Sequence, residues 1–412
     1  MSPEIRHVNV PDVPDWLRAA RTAFLQGPVV TDADIAYHSK VLDPERSLGA
    51  FDEGRCVATF RSFPQQLTVP GGAFVPADAV SLVTVAATHR RRGLLSAMMG
   101  RDLRAAKERG DTVATLISAE YPIYGRYGFG PATWVTQFEV DVPRTGLDRR
   151  YAGPGCGGRV DFADAAAVRE QGPALYERVR PTRPGFVDRD ERWWQRHLGE
   201  LGLDLPRTEP YYVLYRSPEG RVDGLLAYTV KDRWPGKLPQ GTAKVKNLVA
   251  ATPQAERALW HFLLSVDWVL TVDTGFRAPD DLLPLLLPEP RAARPVAHAD
   301  HLWVRPLDVP ALLSARTYGT AGTLVLDVTD PAGYADGRFL LEAGPDGASC
   351  TPTTRPADLA LDVGELGTLA LGDESVTRLV ALGRAREERT GAAALADIML
   401  RTARRPWCPH SF

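Results

Sequence analysis

The stretch from Ala79 to Phe129 constrains the fold of this chain more than any other. Leu82-Val83-Thr84-Val85 is a mostly β-branched run, and a short turn, Ala86-Ala87-Thr88-His89, leads from it into Arg90-Arg91-Arg92-Gly93. Leu95, Met98, Met99, Leu103 and Ala106 then recur on one helical face, and Gly110 ends the pattern. A strand that feeds a helix in this way leaves free backbone N–H groups at the positive end of the helix dipole. With guanidinium groups alongside, that is a site suited to a diphosphate, and a glycine at the entrance lets the backbone approach it closely. An ordinary strand–helix joint with a solvated arginine cluster would use the same residue types. The next segment separates the two readings. Thr112 to Ser118 reads as a second buried strand, and Tyr121-Pro122-Ile123-Tyr124-Gly125-Arg126-Tyr127-Gly128-Phe129-Gly130 follows it directly.

Arg90-x-x-Gly93-x-Leu95 resembles the Arg/Gln-x-x-Gly-x-Gly/Ala acetyl-CoA loop of the GNAT acyltransferases, with Leu95 in place of a small third residue. Tyr124-x-x-x-Gly128-Phe129 resembles the segment of that family whose tyrosine faces the departing CoA sulfur. Strand, loop, helix, strand and tyrosine turn stand in the order that fold needs.

The chain has 412 residues, too many for one small core, so two or three domains are expected. A net charge of −2 argues against a nucleic-acid binder, whose footprint is strongly basic. No apolar run reaches the roughly 18–20 residues of a membrane span, and the N-terminus has no signal-peptide pattern, so a cytoplasmic location is expected. Cys56, Cys156, Cys350 and Cys408 share no ligand spacing and read as free thiols; His298 and His301 stand apart from any cysteine or carboxylate cluster, so no metal is expected.

In chain order, a strand at Arg6–Val10 and a helix from Pro14 open a first α/β unit, residues 1–145. Gly27 to Lys40 reads as irregular; its Asp32 and Asp34 could meet a cationic amine or could be solvated loop charges. Turns at Asp52-Glu53-Gly54 and Pro70-Gly71-Gly72 imply two hairpins, and Thr133 to Val140 reads as the closing strand. A Gly/Pro-rich linker at Pro143–Gly158 precedes a second unit, 146–305. There Val249-Ala250-Ala251-Thr252 repeats Val85-Ala86-Ala87-Thr88, with Glu256 and Arg257 where Arg92 and Gly93 stand. A glutamate and a side chain in those places repel and crowd a diphosphate, so this unit reads as a degenerate copy. Residues 306–412 resemble the sterol-carrier-like α+β layer, either with an apolar cavity or as a filled packing domain.

The chain stops at Arg405-Pro406-Trp407-Cys408-Pro409-His410-Ser411-Phe412, where two prolines and a tryptophan favour a stiff, anchored tail. Taken together, two tandem GNAT folds (the second degenerate), the sterol-carrier-like layer and this terminus resemble the enhanced intracellular survival (Eis) family. The resemblance implies an acetyl-CoA-dependent N-acetyltransferase acting on small polycationic amines such as aminoglycosides, assembled as a homohexamer. It places the general acid on Tyr124 and the base on the α-carboxylate of Phe412. It assigns acetyl-CoA contacts to Val83, Thr84, Val85, Arg91, Arg92, Gly93, Leu94, Leu95, Ser96, Ala119 and Glu120. Ser411 stands where some members carry an acid, which bears on aminoglycoside affinity. Two alternatives stand beside this reading: a protein lysine or N-terminal acetyltransferase, and a ligand-binding scaffold without catalysis.

Overall fold

The computed structural model describes residues 3–148, 154, 157–201 and 208–412. The first sheet opens with β1 (Glu4–His7), β2 (Ser47–Asp52), β3 (Arg55–Thr68) and β4 (Phe74–Val85) as antiparallel neighbours. The two hairpins read from sequence therefore share one long central strand, β3. Parallel to β4 lies β5 (Val113–Ile117), and the short β6 (Gly130–Pro131) forms the far edge. Helix α1 (Val13–Ala23) packs Trp16 and Leu17 onto this sheet, and α2 (Asp32–Lys40) lies beside α1. On the other face α3 (Leu94–Arg109) buries Met98, Met99, Leu103 and Ala106 against Phe60, Val80 and Leu116.

Region 27–40, expected to be irregular, forms α2 because Thr31 and Asp34 make a capping box. The Thr31 hydroxyl accepts from the Asp34 N–H, and the Asp34 carboxylate accepts from the Thr31 N–H, both at 3.2 Å.

The second sheet holds β7 (Trp134–Asp141), β8 (Arg159–Ala163), β9 (Tyr211–Arg216), β10 (Val222–Lys231), β11 (Gly241–Ala250), β12 (Val269–Arg277) and β13 (Ala293–Asp300) in the order β13-β7-β12-β11-β10-β9-β8. The strand expected to close the first unit, β7, thus belongs to the second sheet. Conversely β14 (Leu302–Pro306), which begins inside the 146–305 unit drawn from sequence, lies in the first sheet between β5 and β6. The reason is one continuous register. Trp303 faces Pro131 and Val304 faces Gly130 in the first sheet, while Asp300 faces Trp134 and Ala293 faces Val140 in the second. Thr133 joins the two ladders: its N–H donates to Leu302 O and its carbonyl accepts from the His301 N–H. A single antiparallel ribbon, 130–141 against 293–306, therefore straddles both sheets.

The third sheet, β15 (Gly322–Thr329), β16 (Gly337–Gly344), β17 (Gly347–Pro352), β18 (Leu359–Asp362) and β19 (Ala385–Glu387), packs with its helices around an apolar interior. Arg316 is buried there, and its guanidinium donates to the carbonyls of Ala370 and Leu400, which lie at the ends of two helices. Cys56, Cys350 and Cys408 are buried free thiols; Cys156 lies outside the described residues, as does part of the Gly/Pro-rich linker. Among the described residues no helix is long and apolar enough to cross a membrane.

Candidate active site

Strands β4 and β5 pair only from Ala77/Val113 to Val80/Leu116, yet β4 runs on to Val85 beside β3 alone. The parting has a local cause. The β3–β4 register shifts between Thr59 and Arg61, and Leu82 sits at φ 49°, a conformation a leucine adopts only when its surroundings impose it. The buried Thr59 hydroxyl donates to Leu82 O and lies 2.7 Å from the Thr84 hydroxyl, so Thr84 supplies the proton of that second bond. Val83, Thr84 and Val85 therefore occupy the splayed arm of the first sheet.

From this arm the chain enters the arginine loop. Arg90, Arg91 and Arg92 are exposed, Arg91 at φ 63°, and Arg92 donates to Thr88 O at 3.3 Å. Gly93, at φ 77°, is the N-cap of α3, and its carbonyl accepts the first helical bond from Ala97 at 3.0 Å. A Cβ at Gly93 would meet nothing of the protein within 4 Å. The left-handed backbone requires glycine, and the space above it is free for a ligand. With no side chain to cap the helix, the first-turn N–H groups of Leu94, Leu95 and Ser96 face that space. The cradle fits a diphosphate. Gly93→Glu is accordingly expected to raise the KM for acetyl-CoA at least about tenfold, whereas Arg257→Gly in the second unit should leave it unchanged; initial rates at varied acetyl-CoA measure both.

After β5, the exposed Ala119 and Glu120 lead into a one-turn helix, Tyr121–Tyr124, and a turn closed by Gly128 at φ 84°. Tyr124 is half-buried, edge-on to Phe129 with ring centres 6.3 Å apart. Val83, Val85, Leu95, Tyr124 and Tyr127 all pack against the core beneath α3, so the arm, the loop and the tyrosine turn meet in one place. Tyr127 is engaged: its hydroxyl lies 3.0 Å from Ser96 Oγ. Among the described residues no group hydrogen-bonds the Tyr124 hydroxyl. Burial raises the Tyr124 pKa above the usual tyrosine value, and the charges of Glu120 and Tyr127 add to this, so the phenol stays protonated at neutral pH.

The C-terminal tail reaches the first sheet from the second. Trp407 donates its backbone N–H to Pro184 O, and Arg405 makes a two-pronged ion pair with Asp373 at 2.6 and 2.9 Å. His410 is buried; its Nε2 accepts from Arg189 Nε at 2.8 Å, and its carbonyl meets His301 Nε2 at 2.7 Å. Burial and the Arg189 charge hold the His410 pKa well below the usual histidine value, so the ring is the neutral acceptor that Arg189 needs. Phe412 is half-buried and edge-on to Phe63 of β3, ring centres 5.6 Å apart, among Ala77, Val113 and Ile117. Those residues alternate with Val80, Ala114 and Leu116 beneath α3. Phe412 thus lies on the sheet face opposite the arginine loop.

The second unit shows what this site becomes without a loop. There β11 passes straight into a helix at Pro253–Ser265, whose N-cap Thr252 accepts from the Ala255 N–H at 3.2 Å. The structural counterpart of Gly93 is therefore Thr252, and Arg257, aligned with Gly93 in sequence, lies one turn inside the helix. Strands β11 and β12 also part, after Lys244/Asp273. That opening is lined by Arg277, paired with Asp281 at 2.8 Å and Glu256 at 3.4 Å, and by Trp407, whose ring lies 4.9 Å from the Arg277 guanidinium, around a hollow of about 90 Å³.

Sequence reasoning missed several residues of the site. Asp34 does not face an acceptor freely: besides capping α2 it pairs with Arg21 at 2.8 Å. Arg189 and His410 were not singled out, because what unites them is the path of the tail rather than a local pattern.

A splayed strand pair, an open glycine-led helix start and a turn carrying a half-buried tyrosine define a GNAT-type N-acetyltransferase. Family models agree: residues 4–132 and 185–306 each match an acetyltransferase (GNAT) domain, and 309–409 match a sterol carrier protein domain. An uncharacterised N-acetyltransferase of Streptomyces avermitilis is 62% identical over 99% of this chain and 98% of its own. N-acetyltransferase Eis of Mycobacterium tuberculosis is 36% identical over 82% of this chain and 83% of its own. The crystal structure of Eis1 from Mycobacterium abscessus superposes with a TM-score of 0.85 at 31% identity, covering 99% of this chain and 100% of that one. The chain belongs to the Eis family of N-acetyltransferases.

Proposed function

We propose that this enzyme transfers the acetyl group of acetyl-CoA to a primary amine, with Tyr124 as acid and the Phe412 α-carboxylate as base or ammonium anchor. The observation that carries the reading is the convergence of the open Gly93 cradle and the unpartnered Tyr124 hydroxyl on the splayed arm, with the chain terminus across the sheet. Acetyl-CoA supplies an activated thioester. Gly93 to Ser96 would hold its diphosphate, aided by Arg91 and Arg92, with Ala119 and Glu120 at the rim. A Val85 backbone N–H on the unpaired edge would polarise the thioester carbonyl. Tyr124 would hold a proton where the thiolate departs. A terminal carboxylate, with a reference pKa of about 3.5, is ionised at neutral pH. It would orient the ammonium and pass its proton to water. The polycationic acceptor and the homohexamer implied by the family resemblance belong to the same proposal; light scattering tests the second.

The chain end tests the mechanism. Deleting Phe412 withdraws the carboxylate by roughly 3.5 Å, and a misplacement of about 1 Å already costs around a hundredfold. Phe412→Leu keeps the carboxylate and an apolar anchor and should retain much of the activity. A C-terminal tag should abolish it. Initial rates of the four proteins decide, with acetyl-CoA affinity unchanged throughout; full activity in the deleted or tagged protein would remove Phe412 from the mechanism.

A further inference from the structure

The tail is fixed at His410, and the residue that fixes it is itself bound to the strand on which Phe412 rests. Beyond Phe63, the end of β3 pairs with residues 185–188. The Gly185 N–H donates to Thr68 O at 2.9 Å, the Thr68 N–H to Phe186 O at 2.8 Å and the Asp188 N–H to Gln66 O at 3.2 Å. The Asp188 carboxylate accepts the Gln66 N–H in return, at 2.7 Å. Arg189 follows directly. Its guanidinium is buried between the rings of Tyr176 and Trp193, 3.9 and 3.8 Å from their centres, and among the described residues it has no carboxylate partner. It donates instead from Nε to His410 Nε2 at 2.8 Å and from a terminal nitrogen to Asn247 Oδ1 at 3.1 Å.

Taking a guanidinium out of water is costly, and two aromatic faces offset only part of that. An apolar side chain would fill the slot without the cost. What it would lack is a donor aimed at His410. That residue is gripped a second time from the shared ribbon, where its carbonyl meets His301 Nε2 at 2.7 Å. Only the exposed Ser411 then separates it from Phe412. Two residues of chain span at most about 7 Å, so the place of His410 sets where the terminal carboxylate can lie. Within that reach the contact of Phe412 with Phe63 fixes the ring. The whole is a closed clasp: β3, residues 185–188, Arg189, His410, Phe412 and β3 again.

We propose that Arg189 is a positioning residue for acetyl transfer, setting through His410 where the Phe412 α-carboxylate lies. It rests on the reading of that carboxylate as base or ammonium anchor, and Arg189 itself touches neither acetyl-CoA nor the amine.

A double-mutant cycle tests it, using whichever of neamine, spermine and lysine the wild type acetylates fastest. The proteins are wild type, Arg189→Met, the Phe412 deletion and the two changes combined, each characterised by kcat and both KM values. Arg189→Met should lower kcat at least about tenfold, since a misplacement of about 1 Å costs even more. The acetyl-CoA-induced rise in melting temperature should persist. In the deletion background Arg189→Met should cost less than about twofold, because the carboxylate it places is gone. His410→Gln keeps an acceptor for Arg189 and should retain more activity than His410→Leu. Should Arg189→Met not fold, Arg189→Lys enters the same cycle; it keeps the charge but cannot hold His410 and Asn247 together. Wild-type kcat in the Arg189 variants would overturn the inference. So would equal losses with and without Phe412, or no difference between the two His410 variants. A deletion as active as the wild type, or a wild type that acetylates none of the three amines, would instead overturn the reading beneath it.

Discussion

Tyr124→Phe is expected to lower kcat by about 10²–10⁴-fold while leaving the acetyl-CoA-induced rise in melting temperature unchanged. The substitution keeps the ring that packs edge-on to Phe129 and removes only the hydroxyl, which no described group hydrogen-bonds. Stability should hardly move, because no buried partner is orphaned. Tyr127→Phe is the internal control, since it removes the bond to Ser96 at the start of α3. Its expected signature is a modest rise in the KM for acetyl-CoA with kcat near wild type. Steady-state kinetics of both variants tell the tyrosines apart. A wild-type kcat in Tyr124→Phe, or an equal loss in Tyr127→Phe, would remove Tyr124 as the acid.

The second large effect lies away from the chemistry. Arg305 of β14 and Asp330 of the third unit are fully buried and joined by two bonds of 2.8 and 2.7 Å. The Asp330 carboxylate also accepts the N–H groups of Ala332, Tyr334 and Ala335, and Arg305 Nε donates to Tyr127 O at 3.3 Å. One ion pair thus ties the third unit to the back of the tyrosine turn. Asp330→Ala leaves a buried guanidinium without its counterion, at a cost of about 3–5 kcal/mol. The expected result is a large fall in apparent stability in urea unfolding, with a fall in kcat as the turn around Tyr127 loosens. Adding Arg305→Met should recover only part of the stability, since three backbone donors remain without an acceptor. Full recovery would show that the carboxylate serves Arg305 alone.

The loop at Arg90–Gly93 and the helix after it were legible in sequence because their determinants are local. Gly93 needs its left-handed φ, α3 repeats its apolar face, and the tyrosine turn follows its strand immediately. The helix α2 was just as local; its Thr31/Asp34 box stood in the sequence and went unread. The place of Trp134–Asp141 was not local at all. Its alternation suits an inner strand of either sheet, and only pairing with residues some 160 positions away decides which. The same holds for Arg189 and His410, joined at 2.8 Å although 221 positions apart. In the second unit the four-residue repeat located the equivalent strand end correctly. It misplaced the glycine position, because alignment without gaps cannot register a deleted loop.

The shared ribbon also sets an order of events during synthesis. β6 has no inner neighbour until Leu302–Pro306 emerges, about 170 residues after Pro131. At the usual pace of a ribosome that is a wait of roughly 10–35 s. Throughout it the nascent first sheet carries an open edge at β5, the kind of edge to which other chains adhere. The tail comes later still. On this reading no half-made chain acetylates anything, and the period before residue 306 is when the polypeptide most needs a chaperone.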